Sequence, residues 1–112
     1  MDRNYAHLWD MYEACKQIQT FIQGLTWENY RQNGLVQSAV ERQFEILGEA
    51  ARRVSLEFQK NHPEIPWSAL IGQRNIISHQ YEKVSHKRIW LTTQKSLPSL
   101  MGHLKKLIPN LE

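Results

Sequence analysis

Apolar side chains recur every three or four residues along most of the chain. The first run is Tyr5, Leu8, Trp9, Tyr12, Cys15, Ile18, Ile22 and Leu25, a spacing that lays one stripe on one face of a helix. Gly24 and Thr26 end or weaken it, and Thr26–Tyr30 predicts a short helical turn closed by Asn33-Gly34. A second run joins Val36, Val40, Phe44, Leu47, Ala50, Val54 and Phe58, with helix formers between them and no proline. It predicts one helix that stops before Asn61-His62-Pro63, because a residue preceding proline is pushed out of the helical region. Pro63–Pro66 reads as an extended connector. Pro66 or Trp67 opens the next helix, which holds Leu70, Ile71, Ile76 and Ile77 and runs to about Gln80. A short break follows at Tyr81–Val84, and Ser85 is placed to cap a final helix. That helix carries Ile89, Trp90, Leu97, Leu100, Met101, Leu104, Leu107, Ile108 and Leu111, with a kink expected at Pro98.

The chain has no strand-like alternation, internal repeat or Gly/Ser linker. The expected fold class is therefore all-α: an up-and-down antiparallel helical bundle of four main helices plus a short one, forming a single domain over 1–112. Apolar and aromatic residues outnumber what so small a core requires, so a homodimer that buries the surplus is expected. The longest stretch without a charged side chain is the eleven residues Gln17–Trp27, against roughly 20 for a membrane-spanning helix. Asp2, Arg3, Asp10 and Glu13 interrupt any signal-peptide core, and the lone Cys15 cannot staple the fold. A cytoplasmic location is expected, with no membrane partner and Cys15 in the core.

The net charge is +3 and unevenly spread. Residues 81–112 hold six Lys/Arg (Lys83, Lys87, Arg88, Lys95, Lys105, Lys106) against Glu82 and Glu112. That asymmetry suits a polyanion such as RNA, although charge alone fits a solvated helix face better. The four Trp suit core or interface positions better than base stacking.

The segment Gly72-Gln73-Arg74-Asn75-Ile76-Ile77-Ser78-His79-Gln80-Tyr81 concentrates functional groups at a predicted helix end. Arg74 is a permanent cation whose fork fits phosphate, His79 trades a proton near neutral pH, and Tyr81 offers a phenol that can accept a covalent group. Asn75 and His79 share a helix face, so Asn75 is placed to orient the imidazole; Arg74 and Ser78 share another. Arg74 and His79 are five apart, about 140° round a helix, so one straight helix does not aim both at one point. The Arg side chain reaches round, the helix deforms, or a second subunit completes the site. Spacing alone is weak evidence, since a solvated Arg–His pair at a helix end is common.

Other candidates are weaker. Glu45 and Glu49 share a face but lack the Glu-x-x-His companion of a di-metal bundle, so pairing with Arg42, Arg52 or Arg53 is expected. His7, His62, His86 and His103 are read as having no carboxylate or Cys neighbours at ligand spacing, and neither metal nor cofactor is expected. Gly72 lacks the glycine-rich context of a phosphate loop.

Arg74-Asn75-Ile76-Ile77-Ser78-His79-Gln80-Tyr81 resembles the R-x4-H-x-Y signature of HepT-like toxins in the HEPN superfamily. Glu45-Ile46-Leu47-Gly48-Glu49-Ala50-Ala51 is similar to the E-x-L-G-E-A stretch of the same branch. Pro63-Glu64-Ile65-Pro66-Trp67 is similar to its proline–tryptophan lead-in, and Pro98-Ser99-Leu100 also fits. Ser85 stands where many relatives carry Asp. The resemblance implies a dimeric helical bundle with two motifs facing across a cleft. It also implies metal-independent endoribonuclease activity: Arg74 and His79 catalytic, Asn75 and Ser78 supporting, attack by the RNA 2′-OH. It further implies the toxin of a type II toxin–antitoxin pair, whose antitoxin partner is an MNT-type nucleotidyltransferase able to AMPylate Tyr81. The alternative is a non-catalytic HEPN nucleotide-binding module that partners a nucleotidyltransferase.

Overall fold

A computed structural model describes residues 3–109. Asp2, Leu111 and Glu112, which entered the sequence reading, lie outside the described residues. Every regular element among the described residues is helical: α1 (Arg3–Ile22), α2 (Trp27–Arg31), α3 (Gly34–Arg53), α4 (Leu56–Asn61), α5 (Trp67–His79), α6 (His86–Gln94) and α7 (Ser96–Leu107), with a 3₁₀ turn at Tyr81–Lys83. The expected all-α bundle is present. α1 lies along α3, α3 lies along α5, and α7 returns against α1 and α6. The core between them holds Leu8, Met11, Cys15 and Ile18 of α1, Tyr30 of α2, Val40, Phe44 and Leu47 of α3, and Leu97 and Leu104 of α7. Cys15 is fully buried, as its stripe position requires, and burial pushes its thiol up to about 12. Trp67 and Trp90 are buried while Trp9 stays exposed, so two of the four Trp are core residues.

The breaks between helices follow local chemistry. Gly24 takes a left-handed φ of 78° just after α1, a conformation glycine adopts without penalty. Thr26 and Asn29 then form a reciprocal capping box at the start of α2. Asn33, expected to close the short turn, instead opens α3 by accepting from Val36 N–H at 3.0 Å.

Two predicted helices are each divided. The run from Val36 to Phe58 breaks at Val54-Ser55, where Val54 turns extended. Asn4 at the start of α1 causes the break: its side chain donates to Ser55 Oγ at 3.1 Å and accepts from Ser55 N–H at 3.0 Å. Ser55 Oγ in turn accepts from Phe58 N–H and caps α4. Gln59 Nε2 donates to the carbonyls of Ala51 and Val54 at the end of α3, the first of which also accepts from Val54 N–H. The final helix breaks at Lys95 rather than kinking at Pro98 itself. Pro98 has no N–H to give the carbonyl four residues earlier, so it sits in the first turn of a new helix. Ser85 caps α6 by accepting from Arg88 N–H at 3.2 Å, as expected.

Candidate functional site

The site is built where α3 and α5 run antiparallel. Gly48 lets them approach closely: a Cβ there would collide with Arg74 Cβ and stand 2.8 Å from the Leu70 carbonyl oxygen. Around this contact, acidic side chains four residues apart on α3 meet polar side chains of α5 in register. Glu49 Oε1 lies 3.3 Å from Arg74 Nη2. One turn earlier on α3, Glu45 Oε2 accepts from Ser78 Oγ at 2.6 Å. One turn earlier again, Glu41 faces the 3₁₀ turn, and its charge holds the Tyr81 phenol above its usual range.

Arg74 is thus tethered from two sides, since Nη1 also donates to Asn75 Oδ1 at 3.1 Å. Glu49 is shared: Arg52 Nη2 stands 2.7 Å and Arg53 Nε 3.2 Å from its other oxygen. The hydrogen bond from Arg52, backed by the charges of Arg52, Arg74 and Arg53, holds the Glu49 carboxyl below its usual range. Arg42 lies 3.8 Å from Glu45. The expected pairing of both glutamates with Arg42, Arg52 and Arg53 is present, and it extends to the motif itself. Arg74 and Ser78 line an open cleft of about 220 Å³ together with Glu45, Glu49 and Arg53 of α3 and His7 and Asp10 of α1.

His79 is not on that cleft. It is exposed on the last turn of α5, which stays regular through it, with Gln80 N–H donating to the Ile76 carbonyl at 2.9 Å. The helix therefore preserves the 140° offset, and the single chain does not bring Arg74 and His79 together. Asn75 engages Arg74; among the described residues it makes no hydrogen bond to His79. Tyr81 is just over half exposed.

Spacing arguments missed Glu41 and His86. The nearest carboxylate to His86 in sequence is Glu82, four residues back, yet His86 Nδ1 lies 3.2 Å from Glu41 Oε2, with Glu41 almost wholly buried. Burial pushes the Glu41 carboxyl up, and His86 opposes the shift. The available signal was Glu41, Glu45 and Glu49 at intervals of four, one polar line on an otherwise apolar helix face. Among the described residues, no three His, Cys, Asp or Glu side chains stand close enough to hold a metal ion. None of the described helices is long and apolar enough to cross a membrane.

The model of the family "Ribonuclease HepT-like" matches residues 11–107. The chain is 35% identical to a "Probable ribonuclease HepT" of Thermococcus cleftensis over 101 residues, covering 90% of this chain and 92% of that one. It is 28% identical over 95 residues to a candidate RNase of Methanocaldococcus jannaschii, covering 85% and 87%. It is 28% identical over 96 residues to another of Caldanaerobacter subterraneus, covering 86% of each. No solved structure matches the chain.

Proposed function

Because the chain belongs to the HepT-like ribonuclease family of the HEPN superfamily, we propose that it is a metal-independent endoribonuclease and the toxin of a type II toxin–antitoxin pair. RNA supplies its own nucleophile, the 2′-OH. The His79 imidazole takes that proton or protonates the leaving 5′-oxygen. The Arg74 guanidinium stabilises the charge that builds on the phosphoryl oxygens. The products are a 2′,3′-cyclic phosphate and a 5′-hydroxyl.

The observation that carries this reading is the state of the two motif residues. Arg74 is fixed by Glu49 and Asn75 at the wall of an open cleft, while His79 stands exposed at the helix end. Their opposed directions on α5 call for a homodimer, in which an arginine of one protomer works with a histidine of the other. Ser78, held by Glu45, supports the cleft wall. Tyr81, exposed beyond the helix end, is the acceptor for an adenylyl group from an MNT-type nucleotidyltransferase antitoxin. That group adds bulk and negative charge beside Arg74 and His79, which excludes RNA.

The test is cleavage of single-stranded RNA by purified protein in excess EDTA, with end-group analysis. Wild type is expected to cut RNA, spare DNA and leave cyclic phosphate ends, while His79→Ala is inert. EDTA-sensitive cutting, or an active His79→Ala protein, overturns the reading. Co-expression with the nucleotidyltransferase, read by intact mass, is expected to add adenylyl groups to wild type and none to Tyr81→Phe.

A further inference from the structure

Two further cavities meet on a different face of α5 from Arg74. One, of about 450 Å³, runs between α5 and α6, with Pro66, Ala69, Ile76, Val84 and Ile89 in its lining. The other, of about 570 Å³, lies between α4 and the start of α5, with Leu56, Pro63 and again Pro66 and Ala69 in its lining. The shared residues make them one groove with a mainly apolar floor, on which Leu56 and Ile76 are exposed. The α5 stretch it follows, from Trp67 to Ile77, is about 15 Å long. Its charge has one sign. Lys83 and Arg88 line the first cavity and Lys60 the second, and no Asp or Glu among the described residues lines either. Glu57, Glu64 and Glu82 are near in sequence. Yet among the described residues no carboxylate stands within ion-pair reach of Lys60, Lys83 or Arg88, and all three cations are exposed. The Arg74 cleft is the opposite case: Arg42, Arg53 and Arg74 each face Glu45 or Glu49.

A solvated helix face explains loose cations, but not an uncovered apolar floor between them. That combination suits a ligand with apolar faces and negative charge along its length. Single-stranded nucleic acid is such a ligand: unpaired bases pack on the floor while phosphates meet Lys and Arg. A duplex turns mainly phosphate and sugar outward and leaves the floor without a partner. We propose that this groove is the track that holds single-stranded RNA on its way to the cleaved bond. Bases lie against Leu56, Pro66, Ala69 and Ile76, and phosphates meet Lys60, Arg88 and Lys83. The track leads to the motif. Gly72 and Ile76 on its outer lip stand seven and three residues before His79, about 20° and 60° from it round the helix. Lys83 follows Tyr81 by two residues. A strand in the groove is thereby brought to the end of α5 where the imidazole stands, while Arg74 lies on the other side of the helix. The inference rests on the ribonuclease reading.

The experiment is fluorescence anisotropy of a labelled, mixed-sequence single-stranded RNA, 2′-O-methylated so that it is not cut, titrated with protein across a range of KCl concentrations. Lys60→Gln, Lys83→Gln and Arg88→Gln are each expected to flatten the slope of log K against log salt by about 0.7 and to weaken binding roughly fivefold near ~0.1 M salt. The triple variant is expected to lose about 2 from the slope. Leu56→Ser, which removes floor and no charge, is expected to weaken binding with the slope unchanged. Lys105→Gln and Lys106→Gln, exposed cations of α7 that line neither cavity, are expected to bind as wild type does. A triple variant with wild-type affinity and slope overturns the proposal, as does wild type that fails to bind the RNA. A triple variant that binds RNA normally but no longer co-purifies with its nucleotidyltransferase assigns the groove to a protein partner and equally overturns it. Unmodified RNA is then incubated with the same proteins. Wild type that leaves it intact refutes the cleavage reading, while a flattened slope in the groove variants still supports the track.

Discussion

Gly48→Ala tests the geometry on which the candidate site depends. In a helix interior the exchange normally stabilises by about 1 kcal/mol, because alanine loses less backbone entropy on folding. Here the new Cβ meets Arg74 Cβ, the Leu70 carbonyl oxygen at 2.8 Å and Arg74 Cγ at 2.9 Å. Two of these atoms are anchored to the α5 backbone, so no flexible side-chain end can swing aside. The helices must part, and overpacking of this kind costs roughly 1–3 kcal/mol or more. The net expectation is a destabilisation on the order of 1–2 kcal/mol, which at this length lowers Tm by about 4 °C per kcal/mol. The separation also draws Arg74 away from Glu49, so RNA cleavage is expected to fall by more than the loss of folded protein explains. Gly102→Ala is the internal control, because nothing lies within 4 Å of the Cβ it would gain; it is expected to raise Tm. The assay is urea and thermal unfolding of both variants, with cleavage measured well below Tm. A Gly48→Ala protein as stable as wild type, or more so, refutes the close approach of α3 and α5.

Arg74→Ala and His79→Ala are each expected to reduce RNA cleavage by ~10²-fold or more. The Tm of His79→Ala should change little, because that side chain is exposed; a large fall in Tm with activity retained would make the motif structural. Glu41→Gln is expected to change the pH dependence of stability. Burial raises the folded-state pKa of Glu41, so its contribution is fully present below the unfolded value near 4.5 and is lost as pH rises through the raised folded value. Glu49, whose carboxyl is held low, acts oppositely: its contribution is present above that value and lost as pH falls through the lowered one. Urea unfolding is therefore expected to show wild type losing stability relative to Glu41→Gln as pH climbs above about 4.5, and parallel curves would contradict it. Ser55→Ala removes the cap of α4 and a partner of Asn4, with an expected cost of about 1 kcal/mol in urea unfolding.

The apolar periodicity by itself determined the fold class and most helix boundaries. A stripe repeating every three or four residues can be buried only as a helix, and the caps at Thr26 and Ser85 are local interactions within four residues. The motif from Arg74 to Tyr81 was equally legible, because its residue types, order and spacing are properties of the chain. Tertiary contact decided the rest. Val36–Phe58 has no internal stop signal stronger than Ser55, and it breaks there because Asn4, half the chain away, supplies a competing pair of hydrogen bonds. Gly48 looked like an ordinary weak helix residue until α5 was set against it. Glu49 with Arg74, Glu45 with Ser78, and Glu41 with His86 are pairings across helices. Their energy depends on distances that no single helix contains, and the antiparallel register of α3 on α5, with α6 folded beside them, alone sets those distances.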